Sequence, residues 1–210
     1  MKKLKLVFLF CLIINQIQAQ DSKTKAAAIL DAMTQKYKSM TAFSASFTYS
    51  SEGVGANYTG DITVKGLKYR LKVAGQETFN NGIKVANYVK ETNEVTISDY
   101  EPTDNDLNPA KIYAFDKKGY RYVFVEEVKE GSQVYEVLEL SPDKKGAKIA
   151  KVKIKLNKKD KSVKSWVITD KNGKKQTFKV NKFTPNVNVS DSFFVFDKSK
   201  YPGVEVVELD

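Results

Sequence analysis

The chain contains no histidine and a single cysteine among its 210 residues. Without histidine there can be no Ser-His-Asp or Cys-His catalytic machinery, no histidine-bound zinc or haem, and no imidazole pH switch. No other motif nominates a nucleophile with its base, so we expect no enzymatic activity, no metal and no cofactor.

The N-terminus is typical of a secretory signal peptide. Three lysines precede an uncharged apolar run over residues 6–14, which is too short for a membrane span of about 20 residues. Ala19 supplies the small residue before a cleavage site, so residues 1–19 are predicted to be removed and 20–210 to form one exported domain. The only cysteine, Cys11, lies in the apolar run, and the mature protein would therefore have no disulfide and no thiolate.

Basic side chains outnumber acidic ones, 35 to 25, but all except Arg70 and Arg121 are lysine. Nucleic-acid readers favour arginine for bidentate contacts to guanine and phosphate, so we expect no nucleic-acid partner. Lysine on exposed strand faces and edges maintains solubility and discourages edge-to-edge pairing. The alternative is that the excess positive charge steers docking to an acidic surface.

Two helices and many strands are predicted from periodicity. Apolar residues recur at three- and four-residue intervals between residues 26 and 40, which indicates an amphipathic helix. Asn108, Pro109 and a basic stretch ending at Gly119 predict a short apolar helix in mid-chain. Asn-Gly pairs at 81–82 and 172–173 mark hairpins. Alternation at period two predicts strands at 43–49, 58–64, 67–73, 83–89, 95–100, 120–128, 134–140, 148–156, 163–169, 177–180 and 193–196.

Ten to eleven antiparallel strands are too many for one flat sheet. We therefore predict a mainly β fold, an incomplete (half-open) antiparallel β-barrel around an apolar cavity, with the two helices as plug or lid. The same side chains could instead form an ordinary filled core. Strand-face alternation gives as candidates for the cavity wall Phe47, Tyr49, Tyr58, Ile62, Val64, Tyr69, Leu71, Tyr88, Ile97, Tyr122, Phe124, Phe194 and Phe196. The candidates for the lid are Ile29, Leu30, Met33, Tyr37, Ile112, Tyr113 and Phe115.

Segments spread across the mature chain resemble the periplasmic outer-membrane lipoprotein carrier family, LolA. They are, in order, Tyr37-Lys38-Ser39-Met40, residues 43–48, 60–65 and 81–88, Val95-Thr96-Ile97, Asn108-Pro109, residues 194–196 and residues 201–207. The resemblance implies transport without catalysis, by a periplasmic monomer whose cavity holds the acyl chains of triacylated lipoproteins. It further implies loading by an inner-membrane ABC-type transporter and delivery to an outer-membrane acceptor.

Two positions depart from the family pattern. An arginine-proline pair, whose arginine helps to hold the lid shut in the family, falls near Lys65-Gly66, and a tryptophan common after the hairpin glycine falls near Ala86. The sequence therefore does not predict a lid latch of the familiar kind.

The size of the implied ligand constrains the mechanism. Three acyl chains hold on the order of 45 methylenes, whose complete burial would approach roughly 35 kcal/mol and exceed the practical limit of about 20 kcal/mol for non-covalent binding. A carrier must therefore bury the chains only in part or displace apolar groups of its own. The competing interpretations are a periplasmic lipid-binding sensor or regulatory protein of similar fold and, more remotely, a secreted hydrolase.

Overall fold

The computed structural model describes residues 2–101, 113 and 117–209, with the backbone alone for residues 2–19. Within these residues one long helix, α1 (Lys2–Lys38), precedes twelve strands. The strands are β1 (Phe43–Ser51), β2 (Asn57–Lys65), β3 (Lys68–Val73), β4 (Gln76–Asn80), β5 (Lys84–Val89), β6 (Glu94–Asp99), β7 (Tyr120–Glu130), β8 (Gln133–Pro142), β9 (Ile149–Asn157), β10 (Val163–Asp170), β11 (Lys175–Pro185) and β12 (Glu205–Glu208).

The chain divides into two compact units. Met1–Met33 and Asp116–Gly173 form the first, which we call the β7–β10 unit. Thr34–Phe115 and Lys174–Asp210 form the second, the β1–β6 unit.

In the β7–β10 unit the strand order is β10-β9-β8-β7 and all pairs are antiparallel. Leu138 and Trp166 both pair with Ile154, so the three share a face, and all are buried. Buried residues occupy alternate positions along β9 (Val152, Ile154, Leu156) and at Trp166 and Ile168 of β10, as expected for a sheet with one covered face, whereas β8 has four consecutive buried residues, 135–138.

Helix α1 contacts β7 through polar groups at its exposed margin. The Ser22 hydroxyl donates to the Phe124 carbonyl at 2.8 Å, and the Lys25 ammonium lies 3.1 Å from a Glu127 carboxylate oxygen. Lys25 also lies 3.6 Å from the centre of the Phe124 ring. The apolar stripe of the helix is buried, as its periodicity predicts: Ala26, Ile29, Leu30 and Met33.

In the β1–β6 unit the strand order is β12-β6-β5-β4-β3-β2-β1-β11. Every pair is antiparallel except β12 with β6, which is parallel. The predicted hairpin at Asn81-Gly82 is confirmed by the pairing of β4 with β5, and Gly82 has the positive φ of 89° that such a turn requires.

The predicted fold class is confirmed: the protein is mainly β, with a long N-terminal helix and an antiparallel sheet that does not close. The strand predicted at 193–196 is wrong, because Asp191–Phe194 forms a 3-10 helix and residues 195–196 are irregular. The predicted mid-chain helix lies outside the described residues except for Tyr113. Among the helical residues with described side chains, none form a segment long and apolar enough to cross a membrane.

Candidate functional site

One face of the β1–β6 sheet is apolar over four adjacent strands, and we call it the Phe47 face. Directly opposed residues of an antiparallel pair share a face, and the pairing places Phe47 beside Gly60 and Val180. The remaining members follow from the same register: Phe43, Ala45 and Tyr49 on β1, Tyr58, Ile62 and Val64 on β2, Tyr69, Leu71 and Val73 on β3, and Phe178 and Phe183 on β11.

An aromatic cluster covers one end of the Phe47 face. The ring of Tyr37, from the last turn of α1, lies 5.4 Å from that of Phe43 and 5.6 Å from that of Phe183. Tyr113 inserts between helix and sheet, with its ring centre 4.6 Å from Tyr37 and 4.8 Å from Phe43. Tilted and edge-on rings at these separations stabilise one another by about 0.5–1.5 kcal/mol per pair.

A small cavity lies beside this cluster. Its volume is about 150 Å³, and it is lined by Tyr37, Lys38, Met40, Phe43, Val64, Gly66 and Tyr113. Pockets that hold drug-sized ligands measure about 300–1,000 Å³. The cavity is therefore too small for an acyl chain while Tyr37 and Tyr113 occupy their present positions.

Tyr113 is 2% exposed. Burial, and to a lesser extent the neighbouring Tyr37, raises the pKa of the Tyr113 phenol far above its ordinary value. The Tyr113 phenol is therefore neutral at every physiological pH.

A buried amide marks the polar margin of the Phe47 face. Asn80 pairs with Tyr69 and is fully buried, and its side-chain oxygen accepts the backbone N–H of Gly82 at 2.7 Å. The Asn80 amide nitrogen has no hydrogen-bond partner among the described residues. A buried donor left without a partner costs about 1–3 kcal/mol, which a ligand carbonyl would recover.

The opposite face of the same sheet carries a second apolar cluster, which we call the Phe79 face. The pairing of β4, β5 and β6 sets Phe79 beside Ala86, and Ala86 beside Ile97. The C-terminal segment, residues 187–204, covers this face. Its members in the cluster are Phe196, Tyr201 and Val204, packed against Phe79, Ala86, Tyr88, Val95 and Ile97. Val206, on the edge strand β12, extends the cluster within the sheet.

Polar contacts fasten the C-terminal segment to the Phe79 face. Glu77 is 6% exposed and accepts from the Arg70 guanidinium at 2.5 and 2.6 Å and from the Tyr201 hydroxyl at 2.8 Å. The Arg70 guanidinium also lies over the rings of Phe79 and Phe193, at 4.5 and 4.7 Å from their centres. Burial, and then the hydrogen bond to Glu77, raises the pKa of Tyr201 to about 12.

Lys65, at the position where the resemblance implies a lid latch, binds the C-terminal segment instead. Its ammonium donates to the Asp191 carboxylate at 2.8 Å and to the Val189 carbonyl at 3.3 Å, and Lys68 lies 2.7 Å from the same carboxylate. Hydrogen bonds from these two lysines lower the pKa of Asp191 to about 2. The cation of Lys65 thus points to the side of the sheet away from Tyr37 and Tyr113.

A second cavity, of about 180 Å³, lies between the C-terminal segment and the Phe79 face. Its lining includes the charged side chains of Arg70, Asp197 and Lys200 and the hydroxyls of Ser190 and Ser192. Charged and hydroxyl groups make this cavity unsuitable for a hydrocarbon, since the groups would lose hydration without gaining hydrogen bonds.

The structure divides the predicted site residues among several places. Those on the Phe47 face are Phe47, Tyr49, Tyr58, Ile62, Val64, Tyr69 and Leu71. Those in the cluster on the Phe79 face are Tyr88, Ile97 and Phe196, and Phe194 is buried in a 3-10 helix, against Phe193. Tyr122 and Phe124 are half-buried on β7 in the other unit.

The predicted lid residues divide in the same way. Tyr37 and Tyr113 meet over the Phe47 face, whereas Ile29, Leu30 and Met33 are buried within the β7–β10 unit. The other two, Ile112 and Phe115, lie outside the described residues.

Sequence reasoning missed three rings of the site, Phe43, Phe178 and Phe183. Phe178 lies within the predicted strand at 177–180, two residues before Val180 on the same face. Phe43 shares the period-two alternation of β1 and could have been recognised from it. Phe183 could not, because the register shifts between Ser46 and Phe47, where β11 carries one more residue than β1. This bulge puts Phe183 on the same face as Val180, three residues earlier.

Among the described residues, no three acidic, histidine or cysteine side chains gather into a group that could hold a metal ion. The site described above is an apolar surface covered at one end by the rings of Tyr37 and Tyr113, which we call the aromatic plug.

Comparisons with known proteins agree with this geometry. The family model described as "Outer membrane lipoprotein carrier protein LolA" matches residues 38–197. No curated protein matches the chain.

Among solved structures, an uncharacterized conserved protein from Thermus thermophilus has a TM-score of 0.60 at 16% identity, over 87% of this chain and 98% of its own. A putative outer membrane lipoprotein-sorting protein domain from Vibrio parahaemolyticus has a TM-score of 0.51 at 13% identity, over 85% and 99%. MucB has a TM-score of 0.50 at 15% identity, over 88% of this chain and 66% of its own.

At these identities the structures share the fold alone, but the family model spans most of the chain. The resemblance noted in the sequence is thereby confirmed: the chain belongs to the family of the outer membrane lipoprotein carrier protein LolA.

Proposed function

We propose that the protein is a periplasmic carrier that binds the acyl chains of lipoproteins on its Phe47 face and shuttles them from the inner to the outer membrane. The observation that carries this proposal is the aromatic plug: Tyr37 and Tyr113 cover an apolar sheet face and leave a cavity of only about 150 Å³. A hydrocarbon ligand would replace ring contacts with chain contacts.

The plug makes reversible binding physically reasonable. Full burial of three chains would bind too tightly for release, at roughly 35 kcal/mol against a practical limit of about 20 kcal/mol. An acyl chain that must first displace buried rings gains only a difference in free energy, that between its own apolar contacts and the ring contacts that it replaces. Loading and unloading then cost little net free energy in either direction.

The proposal has finer parts. The lysines and the apolar run of the N-terminus support export by a signal peptide over residues 1–19. Membership of the family supports receipt of cargo from an inner-membrane ABC-type transporter and transfer to an outer-membrane acceptor. The Asn80 amide, buried at the margin of the Phe47 face, suits a carbonyl of an ester- or amide-linked acyl chain.

Native mass spectrometry of the protein isolated from the cell envelope tests the proposal directly. We expect an adduct with the mass of a triacylated lipoprotein. Adducts with free fatty acid or phospholipid alone would favour a lipid-binding sensor of the same fold, and a protein that carries no lipid and binds no fatty acid would contradict both.

A matched pair of isosteric substitutions tests the location of the site. Val64→Thr puts a hydroxyl into the cavity wall, whereas Val206→Thr puts one into the cluster on the Phe79 face. Burying a hydroxyl without a partner costs about 1–3 kcal/mol, so Val64→Thr should weaken binding of a dansylated fatty acid about tenfold. Val206→Thr should lower stability and leave that affinity unchanged.

A further inference from the structure

The two most exposed large hydrophobic residues of the described chain lie at the tips of neighbouring turns. Leu67, between β2 and β3, is 71% exposed, and Ile83, between β4 and β5, is 74% exposed. In a meander of antiparallel strands, alternate turns lie at the same end of the sheet, so these two tips share one end. A Cβ built on Gly82 would lie 3.9 Å from the Lys68 side chain, which shows that the two turns are adjacent.

The Leu67 turn borders the cavity beside the aromatic plug. Gly66, next to Leu67, lines that cavity together with Lys38 and Met40. The turns themselves require only the positive φ of Gly66 and Gly82, 59° and 89°. A polar residue would serve equally well at either tip, so the fold does not explain two exposed aliphatic side chains there.

Lysines surround the tips. Lys68 and Lys84 directly follow Leu67 and Ile83, and Lys38 and Lys65 lie on the same end of the unit. Acidic residues lie at this end as well. Asp191 binds Lys65 and Lys68, and Asp99 lies 3.9 Å from Lys84 and is itself 82% exposed. Exposed Glu101 follows Tyr100, whose backbone N–H donates to the Ile83 carbonyl at 2.7 Å. Both signs of charge are therefore present at this end, and a lysine directly follows each of the two aliphatic tips.

We propose that Leu67 and Ile83 insert into the surface of an anionic lipid bilayer and hold the mouth of the cavity against it. Aliphatic side chains flanked by lysine suit the bilayer interface, because the hydrocarbon enters the acyl boundary while the ammonium groups reach the phosphates. A protein partner would need a shaped surface, and two separate tips offer none. The purpose of this contact rests on the proposed function, but the contact itself can be measured without cargo.

Flotation with vesicles of phosphatidylcholine and phosphatidylglycerol in equal parts tests the proposal. The double variant Leu67→Ser/Ile83→Ser should partition at least about 100-fold more weakly than the wild type, because burying each of the two aliphatic side chains favours binding by about tenfold or more. Val54→Ser is the matched control. Val54 is 43% exposed in the β1–β2 turn, at the opposite end of the same unit, and its substitution should change nothing.

Two results would overturn the proposal: a wild-type protein that does not float with these vesicles, or equal partition of wild type and double variant. As a second measurement, Leu67→Trp and Ile83→Trp should show quenching of fluorescence by brominated acyl chains, and Val54→Trp should not. Vesicles of phosphatidylcholine alone should bind the protein at least about fivefold more weakly, since each lysine near an anionic surface contributes about a fivefold gain.

Failure here is distinguishable from failure of the proposed function. Uptake of a dansylated fatty acid from solution, without vesicles, should be the same in the double variant and in the wild type. A wild type that takes up the fatty acid but ignores vesicles would refute the membrane contact alone. A wild type that binds vesicles through these tips but takes up no fatty acid would refute the carrier function alone.

Discussion

Removal of the Tyr113 ring is the most direct perturbation of the aromatic plug. Tyr113 lies between Tyr37 and Phe43, with ring centres 4.6 and 4.8 Å away, and is 2% exposed. Tyr113→Ala therefore deletes a buried side chain beside an existing cavity of about 150 Å³. We expect the free energy of unfolding to fall by about 3–5 kcal/mol, as for other deletions of buried aromatic rings.

The same substitution should strengthen ligand binding. If the ring must leave before an acyl chain enters, the wild type loses two ring contacts on loading, worth together about 1–3 kcal/mol. The variant has already lost them, so its affinity for a single-chain ligand should rise by roughly 5- to 150-fold. Stability and affinity should thus change in opposite directions.

Titration with a dansylated undecanoic acid measures the affinity, and thermal unfolding with and without the ligand measures the stability. Tyr113→Phe is the control: it keeps the ring, so its affinity should stay close to that of the wild type. If Tyr113→Ala is destabilised as expected but binds the probe no better than the wild type, Tyr113 is part of the cavity wall and the displacement mechanism is wrong.

Three further predictions concern the sheet and the C-terminal segment. Gly60→Ala should lower the free energy of unfolding, measured in urea, by at least about 1–3 kcal/mol, because the new Cβ would lie 2.6 Å from the Phe47 ring. The control Gly55→Ala should be nearly neutral, because a Cβ there meets nothing within 4 Å. The pKa of Asp191 is lowered to about 2, so its pairing with two lysines stabilises the folded protein above pH 4. This stabilisation is lost as the pH falls from about 4 to 2, and Asp191→Asn should remove that part of the acid sensitivity of Tm. The pKa of Tyr201 is raised to about 12, so the neutral phenol stabilises the folded protein below pH 10, and this stabilisation is lost as the pH rises from about 10 to 12. The Tm of Tyr201→Phe should therefore fall less at alkaline pH than that of the wild type.

The fold class could be predicted from the sequence because each local signal is strong. Helix α1 shows its period between Ala26 and Met40, and β1 alternates without interruption from Phe43 to Tyr49. The parallel strand β12 was not predicted. Its four residues acquire their strand geometry from pairing with β6, more than a hundred positions earlier in the chain, which local periodicity does not reveal.

The site could be predicted only in part. Alternation along a strand assigns its residues to two faces, but it does not show which of these faces continues the Phe47 face of the neighbouring strand. On β3 the apolar residues Tyr69 and Leu71 lie on the Phe47 face. One turn later the apolar residue of β4, Phe79, lies on the opposite face, where the C-terminal segment covers it. The change of covered face occurs across a two-residue turn, and only the pairing register identifies it.

The two sheet faces are covered by different kinds of contact, and a hydrocarbon could replace only one of them. At the end of the Phe47 face the contacts described are between rings, and an acyl chain can substitute for a ring at little net cost because both are apolar. On the Phe79 face the cover is fastened by the buried Glu77 carboxylate, held by Arg70 and Tyr201. Displacing that cover would leave a buried charge without its partners, which costs several kcal/mol that no hydrocarbon can return. A lipid should therefore enter on the Phe47 face and leave the C-terminal segment in place.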